Sequence, residues 1–304
     1  MSGVQVLLVA GTHGNEINAP WLFDQWDQND DLIQTSGVNV LRVIGNPASR
    51  EKCTRYLDRD LNRSFSSELI ESDYAGDRES QRAKELLNLY GTLGENPCQI
   101  ALDFHSTTSS MGSCLVIYGR RPEDLALASL IQFRLGLPIY LHEGDKCQNG
   151  FLVERWPCGL VIEIGPVAQA LLHTRIVLQI KLILEVFLEE ISKIRSDENS
   201  FPEEIIIHRH LRNLDFPRDL QGSPNYFIHN QIQDKDWQPI QFGDPLFQSL
   251  DNQIVRASKE NSYTPVFINE AAYLEKNIAM GLTSKETWRL EEQWKFALRD
   301  LIIN

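Results

Sequence analysis

Short apolar runs rich in β-branched residues alternate with longer helical patterns over the first two thirds of this 304-residue chain. The runs at residues 4–10, 38–44, 100–104, 113–118 and 159–164 are predicted as strands. Helices are predicted at residues 79–90, 123–135 and 171–194. Strands and helices that alternate in this way build an α/β sheet with both faces covered. The first part of the chain is therefore expected to form an α/β domain.

The pattern changes after the polar segment at residues 194–202, which ends in a proline. Beyond it, short strand-like runs at 204–208, 226–228, 254–257 and 265–268 are separated by turn signals. We expect two domains, one at residues 1–198 and a smaller β-rich domain at residues 199–304.

Charge and cysteine content restrict the partners and the compartment. The chain has 29 Lys and Arg against 42 Asp and Glu, a net charge of -13, which argues against nucleic-acid and anionic-membrane binding. Its five cysteines form no C-x-x-C pair, as is typical of reduced thiols in a cytoplasmic protein. The N-terminal run lacks a signal peptide's basic region, and charges interrupt the longest apolar stretch, so no membrane span is expected.

A group of metal-ligating residues follows the ends of two predicted strands. His13 and Glu16 are three positions apart directly after the first strand, and His105 ends a later one. In open α/β sheets, ligands bind outside the carboxyl ends of the strands, so the three side chains can meet there. Two imidazoles and a carboxylate are a zinc-binding set. Asp103, two residues before His105, is placed to orient a ligand from behind.

Two further stretches carry chemistry. Glu163 is a single carboxylate inside an apolar strand, and burial of such a group calls for a partner or a role in proton transfer. Arg55 and Arg63 offer guanidinium groups for a carboxylate or an oxyanion, with the Asn62 amide beside them. Arg59 belongs to the same charged stretch and is expected to form salt bridges on an exposed helix face.

Together these stretches resemble a known family. Gly11-Thr-His-Gly-Asn-Glu16, Asp60-Leu-Asn-Arg63, Asp103-Phe-His105, Ile162-Glu-Ile-Gly-Pro166 and Asn269-Glu-Ala-Ala-Tyr273 resemble the aspartoacylases of the aspartoacylase/succinylglutamate desuccinylase family, within the zinc carboxypeptidase-like superfamily. The resemblance extends over nearly the whole chain. It implies a zinc carboxypeptidase-like mixed sheet flanked by helices, followed by a C-terminal β-rich domain that shapes the active-site entrance.

The resemblance also implies the role of each matching residue. His13, Glu16 and His105 would bind one zinc ion per subunit. Glu163 would be the proton shuttle and Arg55 would polarise the scissile carbonyl. The residues that would bind the substrate are Asn62, Arg63 and Tyr273.

The implied reaction is hydrolysis of N-acetyl-L-aspartate to acetate and L-aspartate. The partner is then a small N-acyl amino acid, and a homo-oligomer is left open. Animal aspartoacylases carry another arginine for the side-chain carboxylate, at the position of Phe151 here, with Arg155 close by in sequence. A related aminoacylase for aromatic N-acetyl amino acids or succinylglutamate, and a non-catalytic metal-bound sensor, are therefore alternatives.

Two of the remaining histidines, His208 and His210, are spaced to face one side of a strand. We expect that strand to be an exposed edge rather than a metal site.

Overall fold

The computed structural model describes residues 4–72, 76–145, 148–259 and 263–303. The strands in these ranges are β1 (Gln5–Ala10), β2 (Asn39–Ile44), β3 (Ile100–Ser106), β4 (Cys114–Tyr118), β5 (Ile139–His142), β6 (Cys158–Ile164), β7 (Glu204–Leu214), β8 (Phe227–Ile228), β9 (Pro245–Gln248), β10 (Ile254–Arg256), β11 (Thr264–Val266) and β12 (Met280–Arg289). The α-helices are α1 (Asn18–Gln28), α2 (Pro47–Lys52), α3 (Ser67–Glu71), α4 (Arg78–Tyr90), α5 (Pro122–Leu135), α6 (Thr174–Arg195) and α7 (Glu292–Ile303). One cysteine, Cys147, lies outside the described residues.

Nine strands form one mixed sheet in the order β11-β12-β7-β5-β4-β6-β3-β1-β2. The adjacent strands β2, β1, β3 and β6 are parallel to one another, whereas β4 runs antiparallel to β6. The strands β8, β9 and β10 form a separate antiparallel sheet. The mixed sheet flanked by helices confirms the predicted fold class.

Each face of the large sheet is covered by its own apolar core, because alternate residues of a strand point to opposite faces. On one face, residues such as Leu8 and Leu102 pack with helices α1, α5, α6 and α7. On the other face, Leu7, Val9 and Ala101 pack with α4 and with Trp156. The functional side chains described below also belong to this second face.

The C-terminal part of the chain contributes to both structures. Its strands β7, β11 and β12 extend the large sheet next to β5, and a third apolar core lies around Phe247 and Met280. The helix α7, which the β-rich pattern did not predict, returns to pack against α5 and α6. Its buried residues Trp294, Leu298 and Ile302 are four apart, as an amphipathic helix requires. The boundary between residues 198 and 199 stays a prediction.

The expectation of an exposed edge at His208 and His210 is wrong. Strand β7 lies between β5 and β12, and both imidazoles are buried. His208 packs edge-on against Trp237, and His210 contacts Tyr140. Among the described residues no helix has the length and apolar content that a membrane crossing requires.

Candidate metal centre

The site lies at the carboxyl ends of β1, β3 and β6, on the face of the sheet that also packs against α4. Asp103 and His105 alternate with buried apolar residues along β3, so both point to that face. Glu163 is the register partner of His105 on the parallel strand β6 and therefore shares its face.

The turn that carries His13 and Glu16 follows β1. The Glu16 backbone N–H donates to the His13 carbonyl oxygen at 3.2 Å, which closes the turn and brings the two side chains together. Gly14 lies against helix α2, and a Cβ there would be 2.1 Å from the Ser49 carbonyl carbon. Only glycine lets the turn approach so closely. The Gly14 N–H also donates to the Arg55 carbonyl oxygen at 3.2 Å and ties the turn to the arginine segment.

The predicted ligands His13, Glu16 and His105 converge on one point. Each is buried, with 3%, 6% and 3% of its surface exposed, respectively. The two Nδ1 atoms are 3.1 Å apart, and the Glu16 carboxylate oxygens lie 2.6 Å from His13 Nδ1 and 3.1 Å from His105 Nδ1. The structure thus brings together three ligand atoms from two separate stretches of chain.

A carboxylate behind each imidazole sets its orientation. His13 Nε2 lies 2.9 Å from Asp60 Oδ1, and His105 Nε2 lies 2.8 Å from Asp103 Oδ2. Thr12 Oγ1 donates to the other Asp103 oxygen at 2.8 Å. Carboxylates cannot donate when ionised, so each Nε2 carries the proton and each Nδ1 presents its lone pair to the centre.

The convergence of these lone pairs tests whether a metal fits. Two Nδ1 atoms and a carboxylate face one another, and neutral imidazoles protonated on Nε2 supply no hydrogen between them. Such an arrangement is repulsive unless a proton or a cation occupies its centre. Two nitrogens and a carboxylate are donors that zinc accepts, so the residues present fit a zinc ion.

The pKa values of the group reflect the same charge distribution. Burial alone would raise the pKa of Glu16, but His13 and His105 together hold it below its ordinary range. Burial alone would lower the pKa of His105, yet Asp103 and Glu16 raise it well above its ordinary value. The carboxylates therefore attract positive charge to the centre, which a divalent cation supplies by displacing protons.

Asp60 is a partner of His13 that the sequence reasoning missed, since it was given no role of its own. Burial would raise the pKa of Asp60, but His13 and Arg55 hold it well below its usual value. The predicted helix face is also wrong, because residues 53–60 contain no helix. The available signal was its position two residues before Asn62 in a matched motif. Arg59 does form the expected salt bridge, at 2.7 Å to Asp77.

Glu163, the predicted proton shuttle, lines the cavity and has a strongly shifted pKa. Burial raises its pKa to about 8, with further raising effects from Glu16 and Glu270 and an opposing one from His105. A carboxyl group with a pKa near neutrality can both take and return a proton at physiological pH.

The remaining predicted residues line the same cavity as Glu163. Arg55 lies 3.5 Å from Glu16 and 3.2 Å from Asp60. Arg63 donates to the Asn62 carbonyl oxygen and to the Gln148 side chain, both at 2.8 Å. The described residues that line the cavity include all eight predicted positions: His13, Glu16, Arg55, Asn62, Arg63, His105, Glu163 and Tyr273.

Glu270 is a second residue that the sequence reasoning missed. It is buried and lines the cavity three residues before Tyr273. Its Oε2 accepts hydrogen bonds from the Thr108 N–H at 2.8 Å and from the Ser109 N–H at 3.2 Å. The carboxylate thus fastens the C-terminal segment that carries Tyr273 to the loop after His105. Its presence in the Asn269–Tyr273 motif was the only signal.

Phe151 and Arg155 point to different places. Phe151 lines the cavity and stacks on Tyr118, with ring centroids 3.8 Å apart. Arg155 donates to the Phe65 carbonyl oxygen at 2.6 Å and to Ser67 Oγ at 3.2 Å, and it lines a different depression. Arg155 therefore does not replace the expected second arginine.

The fold and the site define an α/β protein with three converging side chains at the strand ends that could hold a metal ion. Residues 2–191 match the succinylglutamate desuccinylase/aspartoacylase catalytic domain, and residues 203–285 match the AstE/AspA barrel-sandwich hybrid domain. The chain belongs to the succinylglutamate desuccinylase/aspartoacylase family, as its sequence motifs predicted.

Similar proteins agree with this assignment. A protein of Prochlorococcus marinus named "Probable aspartoacylase" is 59% identical over 97% of both chains. One from Synechococcus sp. with the same name is 50% identical over 99% of both. The crystal structure of murine aminoacylase 3 has a TM-score of 0.87 and 30% identity, covering 95% of this chain and 98% of that one. The succinylglutamate desuccinylase of Chromobacterium violaceum, at 15% identity and a TM-score of 0.62, shares the fold.

Proposed function

We propose that the protein is a zinc-dependent deacylase that hydrolyses N-acyl-L-amino acids. Family membership and the relatives support a hydrolase of this kind. The observation that carries the proposal is the convergence of two Nδ1 atoms and the Glu16 carboxylate beside Glu163. A proton shuttle next to a metal centre is the arrangement that metal-assisted hydrolysis needs.

In this proposal His13, Glu16 and His105 hold one zinc ion per chain. Zinc supplies a Lewis acid that polarises a carbonyl group and makes water a better nucleophile at neutral pH. Asp60 and Asp103 keep both imidazoles in the tautomer that presents Nδ1.

Glu163 moves the proton. As a base it takes a proton from the water that attacks the acyl carbon, and as an acid it returns that proton to the leaving amine when the C–N bond breaks. The pKa of about 8 suits the acid role, and a nearby cation lowers the pKa, which favours the base form.

The arginines bind the substrate. Arg55, which lies beside Glu16, donates to the carbonyl oxygen of the acyl group as negative charge develops there. Arg63 and Asn62 bind the α-carboxylate, and Arg63 is held in place by Gln148. Tyr273 reaches the substrate from the C-terminal region, whose segments close one side of the cavity and exclude long peptides.

The acyl amino acid predicted from sequence is N-acetyl-L-aspartate, which stays a prediction. The stacking of Phe151 on Tyr118 and the outward course of Arg155 favour the alternative of a related aminoacylase with another side-chain preference. We keep the two-domain division at residue 198 and a cytoplasmic location as part of the proposal. The latter is supported by free thiols at the four described cysteines, Cys53, Cys98, Cys114 and Cys158.

The test is acetate release from a panel of N-acetyl-L-amino acids by zinc-loaded protein, with and without a chelator. The proposal predicts release that the chelator abolishes and added zinc restores. Binding of the same compounds without any release would instead support a metal-bound sensor.

A further inference from the structure

One wall of the cavity is formed by aromatic rings and one imidazole. Val116 and Tyr118 on β4 are register partners of Tyr140 and His142 on β5, so these side chains share the face that carries the metal centre. Phe151 completes this wall. Tyr118, Tyr140, His142 and Phe151 are called the side-chain subsite below.

The side-chain subsite has no cation of its own among the described residues. The cations that line the cavity as a whole are Arg55, Arg63 and Lys276. Arg55 and Lys276 both pair with Asp60, at 3.2 Å and 3.8 Å. Arg63 lies over one face of the Phe151 ring, 4.1 Å from its centroid, and its guanidinium is held by the Asn62 carbonyl and by Gln148. In the proposed function Arg63 binds the α-carboxylate, so a second carboxylate in the subsite would have to share the charge of Arg63 and would have no cation of its own.

His142 has an unused polar atom in this subsite. The residue is 8% exposed, and its buried Nε2 makes no hydrogen bond of ordinary geometry in the described part of the chain, although the imidazole lies near the Gln148 backbone. Its Nδ1 is 3.4 Å from the Tyr140 hydroxyl, which also lies 2.9 Å from His210 Nδ1. Buried polar atoms are nearly always hydrogen-bonded, so an unpaired one that lines a binding cavity indicates a ligand group.

The imidazole of His142 is neutral. Burial and the neighbouring His210 lower its pKa to about 4, against smaller raising effects of Asp145 and the Gln148 backbone. The Tyr140 hydroxyl has one proton and lies between two histidines. When it donates to His142 Nδ1, His142 Nε2 carries the ring proton and is a donor. When it donates to His210 Nδ1, His142 Nδ1 carries the ring proton and Nε2 is an acceptor. A carboxamide matches both arrangements, because it carries both an N–H and a C=O.

We propose, on the basis of the deacylase function above, that the side-chain subsite takes uncharged polar side chains of the carboxamide type and discriminates against carboxylates. His142 Nε2 is the specificity-determining atom, and it hydrogen-bonds to the amide of the substrate side chain. The aromatic rings of Tyr118 and Phe151 enclose the same space and exclude the water that a carboxylate would need.

The test compares N-acetyl-L-asparagine with N-acetyl-L-aspartate, which have the same shape and differ in charge. Zinc-loaded protein is expected to hydrolyse the asparagine derivative with at least a ~10-fold higher kcat/KM, because an unpaired buried charge is strongly rejected. Calorimetry on the zinc-loaded Glu163→Gln variant measures the two Kd values without turnover, and the same order is expected.

Substitutions assign the preference to His142. His142→Phe is expected to lower the ratio of kcat/KM for N-acetyl-L-asparagine over N-acetyl-L-alanine about 10- to 100-fold, since alanine has no group for Nε2. His208→Phe is the matched control, because His208 is also a buried imidazole but does not line the cavity, and it should leave the ratio unchanged. Phe151→Arg should shift the preference toward aspartate.

Tighter binding and faster hydrolysis of the aspartate derivative by the unmodified protein would overturn the inference. So would an unchanged ratio in a folded His142→Phe variant; if that variant does not fold, His142→Gln takes its place and is expected to lower the same ratio. If neither compound is hydrolysed, the deacylase function fails, but the two Kd values still decide whether the subsite prefers the amide.

Discussion

His105 on β3 and Glu163 on β6 are register partners across a parallel strand pair. The hydrogen-bonded ladder fixes their separation, so the proposed metal ligand and the proposed acid–base group are held side by side by the backbone rather than by flexible loops. All residues of the two strands except Ser106 and Glu163 are buried, which makes this part of the site rigid.

The first prediction concerns Glu163. Glu163→Gln keeps the shape of the side chain but removes proton transfer, so kcat is expected to fall by about three orders of magnitude or more. Zinc content should not change, because Glu163 is outside the ligand group. Elemental analysis and initial-rate kinetics measure the two effects, and unchanged turnover would remove Glu163 from the mechanism.

The second prediction concerns the carboxylates behind the imidazoles. Asp60→Asn and Asp103→Asn should each weaken zinc binding about 10- to 100-fold, because loss of the charge weakens the tautomer preference of the ligand. Asp58→Asn is the control, since Asp58 faces Arg78 near the surface. Competition with a zinc-binding dye gives the affinities. Equal affinities in all three variants would show that Asp60 and Asp103 do not support the ligands.

The third prediction concerns recognition of the α-carboxylate by Arg63. Arg63→Ala should raise KM for N-acetyl-L-amino acids much more than for the corresponding α-amides, which lack the charge that Arg63 binds. Steady-state kinetics on matched acid and amide pairs provide the comparison. A similar loss for both members of each pair would contradict the assignment.

The fourth prediction is acid destabilisation by buried histidines. Burial lowers the pKa of His142 and of His208 to about 4, whereas the ordinary value is 6.5. Between these pH values the unfolded chain binds more protons, so their contribution to stability is complete above pH 6.5 and is lost as pH falls toward 4. Each contributes a slope of at most about 1.4 kcal/mol per pH unit.

Urea unfolding from pH 4.5 to 7.5 measures this slope. His208→Phe should reduce it, whereas His173→Phe should not, since His173 is exposed. The difference between the variants cancels any contribution from metal loss. Identical slopes would mean that His208 is not held neutral in the folded protein.

Sequence patterns predicted the large sheet well because its strands are short buried runs with clear boundaries. They also placed His13, Glu16 and His105 together, since residues after parallel strands meet at one edge. Asp60 escaped prediction because its position depends on the non-helical segment at residues 53–60, whose course is set by tertiary contacts. The direction of Arg155 depends on its bond to the Phe65 carbonyl, which no local pattern encodes.

Local features of the sequence explain why helix α1 and strands β5 and β12 were not predicted. Helix α1 contains Pro20 in its first turn and begins without a side-chain cap. Strand β5 has four residues, too few to show a period. Strand β12 alternates half-buried and exposed residues only in its second half, because its first four residues are buried.

The most direct test of zinc binding by His13, Glu16 and His105 is the zinc content of the purified protein after dialysis, compared with that of His105→Ala. About one zinc per chain is expected in the unmodified protein and its loss is expected in the variant, with His173→Ala as a folded control that retains the zinc. A protein without tightly bound zinc after reconstitution, or a His105→Ala variant that retains a full equivalent, would contradict zinc binding by these three residues.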